Sequence, residues 1–290
     1  MVYIGVTMIK KVLLLAAALA TSSFATWDYF GLLQNSPGSI KAGLYYDMDD
    51  DWSQMGLKVG ARVNVAPTFE LSIQSFGYQF WSENECDENI PRCNNEGGNG
   101  LRDLVLGGRF AVNPMLNIFL DLNLPIGRDK DDGEGTTAPS RHEMFLYFGG
   151  QFHSNIASIK QAAFGTEAGA FWGFRHHNKE RALEVHFGGE FDYTLPAAPV
   201  TLLIGGQIWF RLFRSEYDNG VKSNAKLHDD WSQQYKIWIG ANFAVTQNLS
   251  INGQIIARSQ DLKRKRVDGG TKIDMEGDAT GFTLDVEIKF

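Results

Sequence analysis

The stretch GFTLDVEIKF, Gly281 to Phe290, alternates without a break. Phe282, Leu284, Val286, Ile288 and Phe290 are apolar, while Thr283, Asp285, Glu287 and Lys289 between them are polar. Successive side chains of a strand point to opposite faces, so this period of two predicts a strand with one apolar and one polar side.

The same pattern recurs upstream. LKVGARVNV (57–65), LNIFLDLNL (116–124), LEVHFGGEFDY (183–193) and YKIWIGANFAV (235–245) each carry it over nine or more residues. Strands of soluble proteins run about five or six residues, whereas a strand that crosses a bilayer needs about 9–11. Composition agrees with many strands and turns: Gly is abundant (31), Pro scarce (8), and aromatics reach 12%. Mean hydropathy is −0.22, which excludes a bundle of membrane helices. A net charge of −7 with no basic face argues against nucleic acid as a partner.

The connections come in two kinds. GARVNVAPTFEL (60–71), GGRFAVNPMLNI (107–118) and GANFAVTQNLSI (240–251) align without gaps, each reading as strand, tight turn, strand. Their turns centre on Ala66-Pro67, Asn113-Pro114 and Gln247-Asn248. The other connections are long, polar and charged, at 47–54, 81–100, 128–142, 175–181, 214–230 and 263–280. Short turns alternate with long loops, which predicts about twelve strands from residue 38 to residue 290, with 154–174 alternating least well. An even strand count with short turns at one rim and long loops at the other is the layout of a closed, antiparallel, up-and-down transmembrane β-barrel. All of 26–290 then forms one all-β domain. A closed barrel has no free edge, so the final strand must pair with the first.

GFTLDVEIKF also resembles the C-terminal assembly signal of bacterial outer-membrane β-barrel proteins, the porin-like superfamily: a glycine, alternating hydrophobics and a terminal Phe. On that resemblance Gly281, Phe282, Leu284, Val286, Ile288 and Phe290 form the assembly signal, read by the barrel assembly machinery of a Gram-negative outer membrane. The partners it implies are outer-membrane lipid and lipopolysaccharide. KRKR (263–266), which begins a long loop, could meet lipopolysaccharide phosphates.

Export is predicted independently. Lys10 and Lys11 precede the apolar run 12–20, and Ser23-Phe24-Ala25 offers small residues for cleavage after Ala25, the layout of a secretory signal peptide over 1–25. In an oxidising compartment Cys86 and Cys93 are expected to form a disulfide. No histidine lies near them, so a metal site is not expected, and no cofactor is implied.

If the apolar faces meet lipid, the polar faces line the lumen. The expected lining residues are Lys58, Arg62, Glu70, Asp103, Arg109, Asp121, Glu184, His186, Glu190, Asp192, Arg211, Lys236, Arg258, Asp285 and Glu287. Either they line a wet pore and set its selectivity, or opposite charges pair across the lumen and close it. A twelve-strand barrel falls between eight strands, which side chains fill, and 16–18, which leave a wide channel. The acidic cluster on Glu184–Asp192 could form a cation-selective constriction or pair with Arg211, Lys236 and Arg258. Trp52 and Trp231, both in DDWSQ, are assigned to an outer aromatic girdle. An enzyme is not expected: His153-Ser154 is the only adjacent pair suited to nucleophilic chemistry, and His142, His176, His177 and His228 lie in or near loops without a recognisable constellation. The expectation is a narrow, porin-like channel for passive diffusion of a small hydrophilic solute. The alternative is a non-conducting barrel that displays its loops for surface interaction or envelope structure, with an enzyme at the outer rim a distant third.

Overall fold

The computed structural model describes residues 36–49, 52–85, 94–128, 139–140, 143–174, 183–213, 216–218, 221–223, 233–267 and 270–290. Within these, side chains at 83–85, 94–96, 211–213, 216–218, 221–223, 233, 260–267 and 270–278 lie outside the description. The expected leader at 1–25, Cys86, Cys93, His142, His176, His177, His228 and Trp231 fall outside the described residues.

The strands are β1 (Gly38–Met48), β2 (Trp52–Ala66), β3 (Phe69–Glu85), β4 (Asn94–Leu101), β5 (Leu104–Asn113), β6 (Leu116–Leu124), β7 (Met144–Asn155), β8 (Ala162–Phe174), β9 (Leu183–Thr194), β10 (Val200–Phe213), β11 (Glu216–Asp218), β12 (Val221–Ser223), β13 (Gln233–Ala244), β14 (Leu249–Val267) and β15 (Gly270–Lys289). Each barrel strand pairs antiparallel with the next, and β1 pairs both with β2 (Gly43↔Lys58) and with β15 (Gly43↔Asp285), which closes the ring. β4 and β5 lie end to end along β3 and count as one strand broken at Arg102-Asp103. β11 and β12 form a separate small hairpin. The result is a closed, antiparallel, up-and-down barrel of twelve strands.

Its polarity is inverted. Among the described residues, buried polar side chains outnumber buried hydrophobic ones by more than two to one. The exposed face is apolar on every side: Ile40, Leu44, Leu57, Val63, Ile118, Leu120, Ile204, Ile237, Ile239, Ile255, Leu284 and Ile288 are each more than 40% exposed. In water every such side chain would forgo roughly 1.5–3 kcal/mol of burial. Over dozens of positions no soluble domain bears that, so the medium outside is hydrocarbon. The backbone needs no help from lipid, because ring closure pairs every barrel strand on both sides.

One rim carries the short turns: 67–68, 114–115, 156–161, 195–199 and 245–248. Side-chain oxygens lock two of them. Asn113 Oδ1 accepts the Met115 and Leu116 amides at 2.8 and 2.9 Å. Thr246 Oγ1 accepts those of Asn248 and Leu249 at 3.2 and 3.0 Å. These are the self-bonded turns that Asn and Thr favour, and they occupy the same position in two of the three repeated hairpins, the third having Ala66 there.

At the opposite rim three segments expected as loops are largely strand. β14 and β15 stay paired from Leu249↔Ile288 to Val267↔Gly270, so 263–267, KRKR included, and 270–280 form a β-ribbon. At ~3.3 Å per residue these strands run about twice the length a crossing needs, and the ribbon projects beyond the barrel. β3 and β4 likewise pair out to Glu85↔Asn94, and β1 and β2 out to Met48↔Ser53. A ribbon wetted on both faces needs no apolar alternation, so the pattern that reveals a lipid-facing strand is missing from it.

Candidate functional site

The inner wall is built by the residues that alternate with the lipid-facing ones. Lys58 and Arg62 on β2, Glu70 on β3, Arg109 on β5, Asp121 on β6, Glu184, His186, Glu190 and Asp192 on β9, Lys236 on β13, Arg258 on β14, and Asp285 and Glu287 on β15 all occupy that face. Asp103 sits in the break between β4 and β5, where it accepts the Gly127 amide at 3.1 Å and fastens the chain beyond β6. Arg211 lies on β10 in register with Glu184, but its side chain is outside the description.

Many wall charges are paired, while neither carboxylate oxygen of buried Asp192 has a hydrogen-bond partner among the described residues. Arg109 grips Asp121 with both guanidinium nitrogens, at 2.5 and 3.0 Å, in the bidentate geometry that strengthens such pairs. Arg62 stands 3.8 Å from Glu70. Glu167 receives the Tyr147 hydroxyl on one oxygen and the Gln151 amide at 2.8 Å on the other. Lys58 reaches Asp285 at 3.2 Å across β1. Only glycine at Gly43 permits this, because a Cβ there would collide with the Asp285 carboxylate.

The acidic strand β9 makes contacts beyond those the spacing suggested. Trp238 donates its indole N–H to Glu190 at 2.5 Å, reaching over β10 at Gly205, where a Cβ would collide with the indole. Glu184 lies 3.6 Å from His186 on its own strand. Lys236 lies 5.2 Å from the Trp238 ring centre, and Arg258 pairs instead with Asp47 at 3.1 Å. Sequence spacing could not reveal these contacts, since several skip a strand.

Asp47 anchors a chain of bonds at the loop-side rim. Gln54 donates to it at 2.8 Å, Gln79 to Gln54 at 3.0 Å, and Tyr45 to Gln79 at 2.6 Å. Trp52 belongs here too: it is buried on the inner face, with the Arg258 guanidinium 5.8 Å from its ring centre. That overturns its assignment to the outer girdle. An aromatic ring suits lipid and lumen alike, so only its parity on β2, shared with Gln54 and Lys58, decides.

The sequence reading also missed an aromatic arc. Phe119 on β6, Tyr147 on β7, Phe171 on β8, His186 on β9 and Trp209 on β10 touch in succession. Their ring centres are 4.9, 4.2, 4.3 and 5.0 Å apart, and Tyr147 and Phe171 stack at 12°. The signal was available, since each ring occupies a polar-parity position of its strand.

His153 and Ser154 are consecutive on β7, so they point to opposite faces, and the serine hydroxyl donates to the Asn155 carbonyl. They form no nucleophile–base pair.

No family model matches this sequence, and no curated protein matches it. Solved structures do. An outer-membrane channel from Pseudomonas putida F1 superposes with a TM-score of 0.55 over 92% of this chain and 100% of its own, at 14% identity. The β domain of the Bordetella autotransporter BrkA superposes with a TM-score of 0.52 over 88% and 100%, at 12% identity. The fold is that of the bacterial outer-membrane β-barrels. With its apolar belt, this fold places the chain in the outer membrane. At such identities the likeness concerns the fold alone, and the printed names of the two neighbours describe different proteins, a channel and an autotransporter domain.

Proposed function

We propose that this outer-membrane barrel is a narrow channel for passive diffusion of small hydrophilic solutes, with no catalytic role. One observation carries the reading. The hydrogen bonds and ion pairs described above that link different barrel strands join strands that are neighbours, or next but one, around the ring. The polar groups named in these pairs clasp one another along the wall. Such pairing lays the side chains it involves along the wall, an arrangement that favours an axis left to water and solute. Size exclusion by the wall and the field of its charges would then set what passes.

The test is single-channel conductance of the refolded chain from residue 26 onward in a planar bilayer. Discrete, reproducible steps are the expected result. A correctly folded, heat-modifiable barrel that stays silent would overturn the reading.

A non-conducting, surface-displaying barrel is favoured by one feature, the ribbon of β14 and β15 beyond the rim. The silent outcome would support it.

A further inference from the structure

The charges of the inner wall are sorted by depth. Glu70, Glu167, Glu184, Glu190, Asp192 and Asp285 are each at most 6% exposed. Lys41, Lys58, Lys236, Arg258 and Lys289, on the same face, are all partly exposed, with 27% of the Lys58 side chain and 34% of the Arg258 side chain accessible. Arg109, buried against Asp121, and the partly exposed Asp103 and Glu287 depart from this rule. The sorting follows from side-chain build. Lys and Arg cover their long stems and carry the charged end out to water, whereas the shorter carboxylates stay near the backbone. A solute in the lumen therefore meets ammonium and guanidinium groups, while most of the carboxylates that balance them lie beyond its contact. A charge in contact outweighs an opposite one farther back, because the interaction falls with distance.

Two of these cations stand side by side. Lys236 on β13 and Arg258 on β14 are paired in register, so their side chains leave the same face about 4.5–5.5 Å apart. Like charges set directly opposite repel. Asp47 offsets part of this from 3.1 Å on the Arg258 side. An anion between the two would relieve the rest and take a charge-assisted hydrogen bond from each. The aromatic arc ends next to this pair. Trp209 lies opposite Gln234 and Gln207 opposite Lys236, so Trp209 and Lys236 are diagonal neighbours on one face, about 7–8 Å apart. Tyr147, Phe171 and Trp209 are all partly exposed. The wall thus passes from ring surface to cation within the length of one small molecule.

From the sorted charges and this junction we infer that the channel is selective for anions that carry a flat apolar body, of which an aryl carboxylate is the simplest. The carboxylate lies between Lys236 and Arg258, and the ring packs on Trp209 along the arc. A small inorganic anion would make no use of the rings. An uncharged hydrocarbon would make no use of the two cations, and a cationic solute would be repelled by them. The inference rests on the channel reading and deepens it.

The probe is benzoate, added to the refolded barrel during single-channel recording and, separately, titrated calorimetrically into the barrel in detergent. In a potassium chloride gradient the reversal potential should favour chloride. Benzoate should interrupt the current at concentrations where acetate and benzylammonium do not. Arg258→Gln and Trp209→Leu, checked for heat-modifiable mobility, should each raise the half-blocking concentration about tenfold. Arg258→Lys, which keeps the charge, should retain most of the block, and Phe187→Leu, on the lipid side of β9, should leave it unchanged. Steps that prefer potassium, that ignore benzoate, or that acetate or benzylammonium interrupts as readily, would overturn the inference while the channel stands. So would a benzoate block that survives both Arg258→Gln and Trp209→Leu. A silent barrel that still binds benzoate, with both substitutions weakening the binding, keeps the site and removes the channel. Silence without binding removes both.

Discussion

The indole of Trp238 reaches over the bare backbone of Gly205 to donate its N–H to Glu190, two strands away. The bond ties three strands together on the inner wall. A glycine at that place is therefore a structural requirement. Gly205→Val should displace the indole, leave Glu190 buried without that donor, and destabilise the barrel by about 1–3 kcal/mol. Urea unfolding in detergent, followed by tryptophan fluorescence, measures the loss. Gly206→Val, on the lipid-facing parity of the same strand, should cost less.

Arg109 and Asp121 are both buried and share two hydrogen bonds. Removing one partner strands the other's charge. Arg109→Leu should destabilise by about 3–5 kcal/mol, and the double variant Arg109→Leu/Asp121→Leu should regain most of it. If the single and double variants lose equally, the pair is not the unit described here.

Ile237 is 58% exposed on β13, between two inward residues. If its surroundings are hydrocarbon, Ile237→Arg should cost about 2–4 kcal/mol in lipid vesicles, and Ile237→Ala much less. An arginine tolerated as well as alanine would remove this face from the bilayer.

Phe290 closes the ring by exchanging backbone hydrogen bonds with Gly38, at 3.0 and 3.3 Å, and its carbonyl accepts the Ser36 hydroxyl at 2.8 Å. Deleting it should lower the yield of heat-modifiable barrel in outer-membrane fractions. Normal yield would count against both the assembly-signal reading and the weight given to this closure.

Glu184 and Glu190 are buried carboxyl side chains on one strand of the lumen wall. Glu184→Gln and Glu190→Gln should each shift the reversal potential across a salt gradient further toward anions. The Glu190 amide can still accept the Trp238 indole, so the change should report charge and not collapse.

The strands were legible because a face that meets lipid cannot vary in character: Phe282, Leu284, Val286 and Ile288 announce it at once. The inner wall was legible as a set, through parity, but its pairings were not. Lys58 meets Asp285, and Trp238 meets Glu190, only because Gly43 and Gly205 clear a path over the strand between. That depends on which strands are neighbours in space. Trp52 and the arc from Phe119 to Trp209 escaped because aromatic rings are at home on both faces. The ribbon beyond the rim escaped because nothing there must be apolar.

The closure of β1 on β15 carries a consequence for biogenesis. Ser36 and Phe290, bonded in the finished barrel, lie 254 residues apart in the chain. The barrel strand made first therefore waits for a partner made some 254 residues later. A contact of such sequence separation forms slowly, and until it forms both edge strands stand open to pairing with any other chain. The polypeptide must then travel to its membrane unzipped, with its stickiest surfaces bare. Its hazard in the cell is the journey rather than the destination.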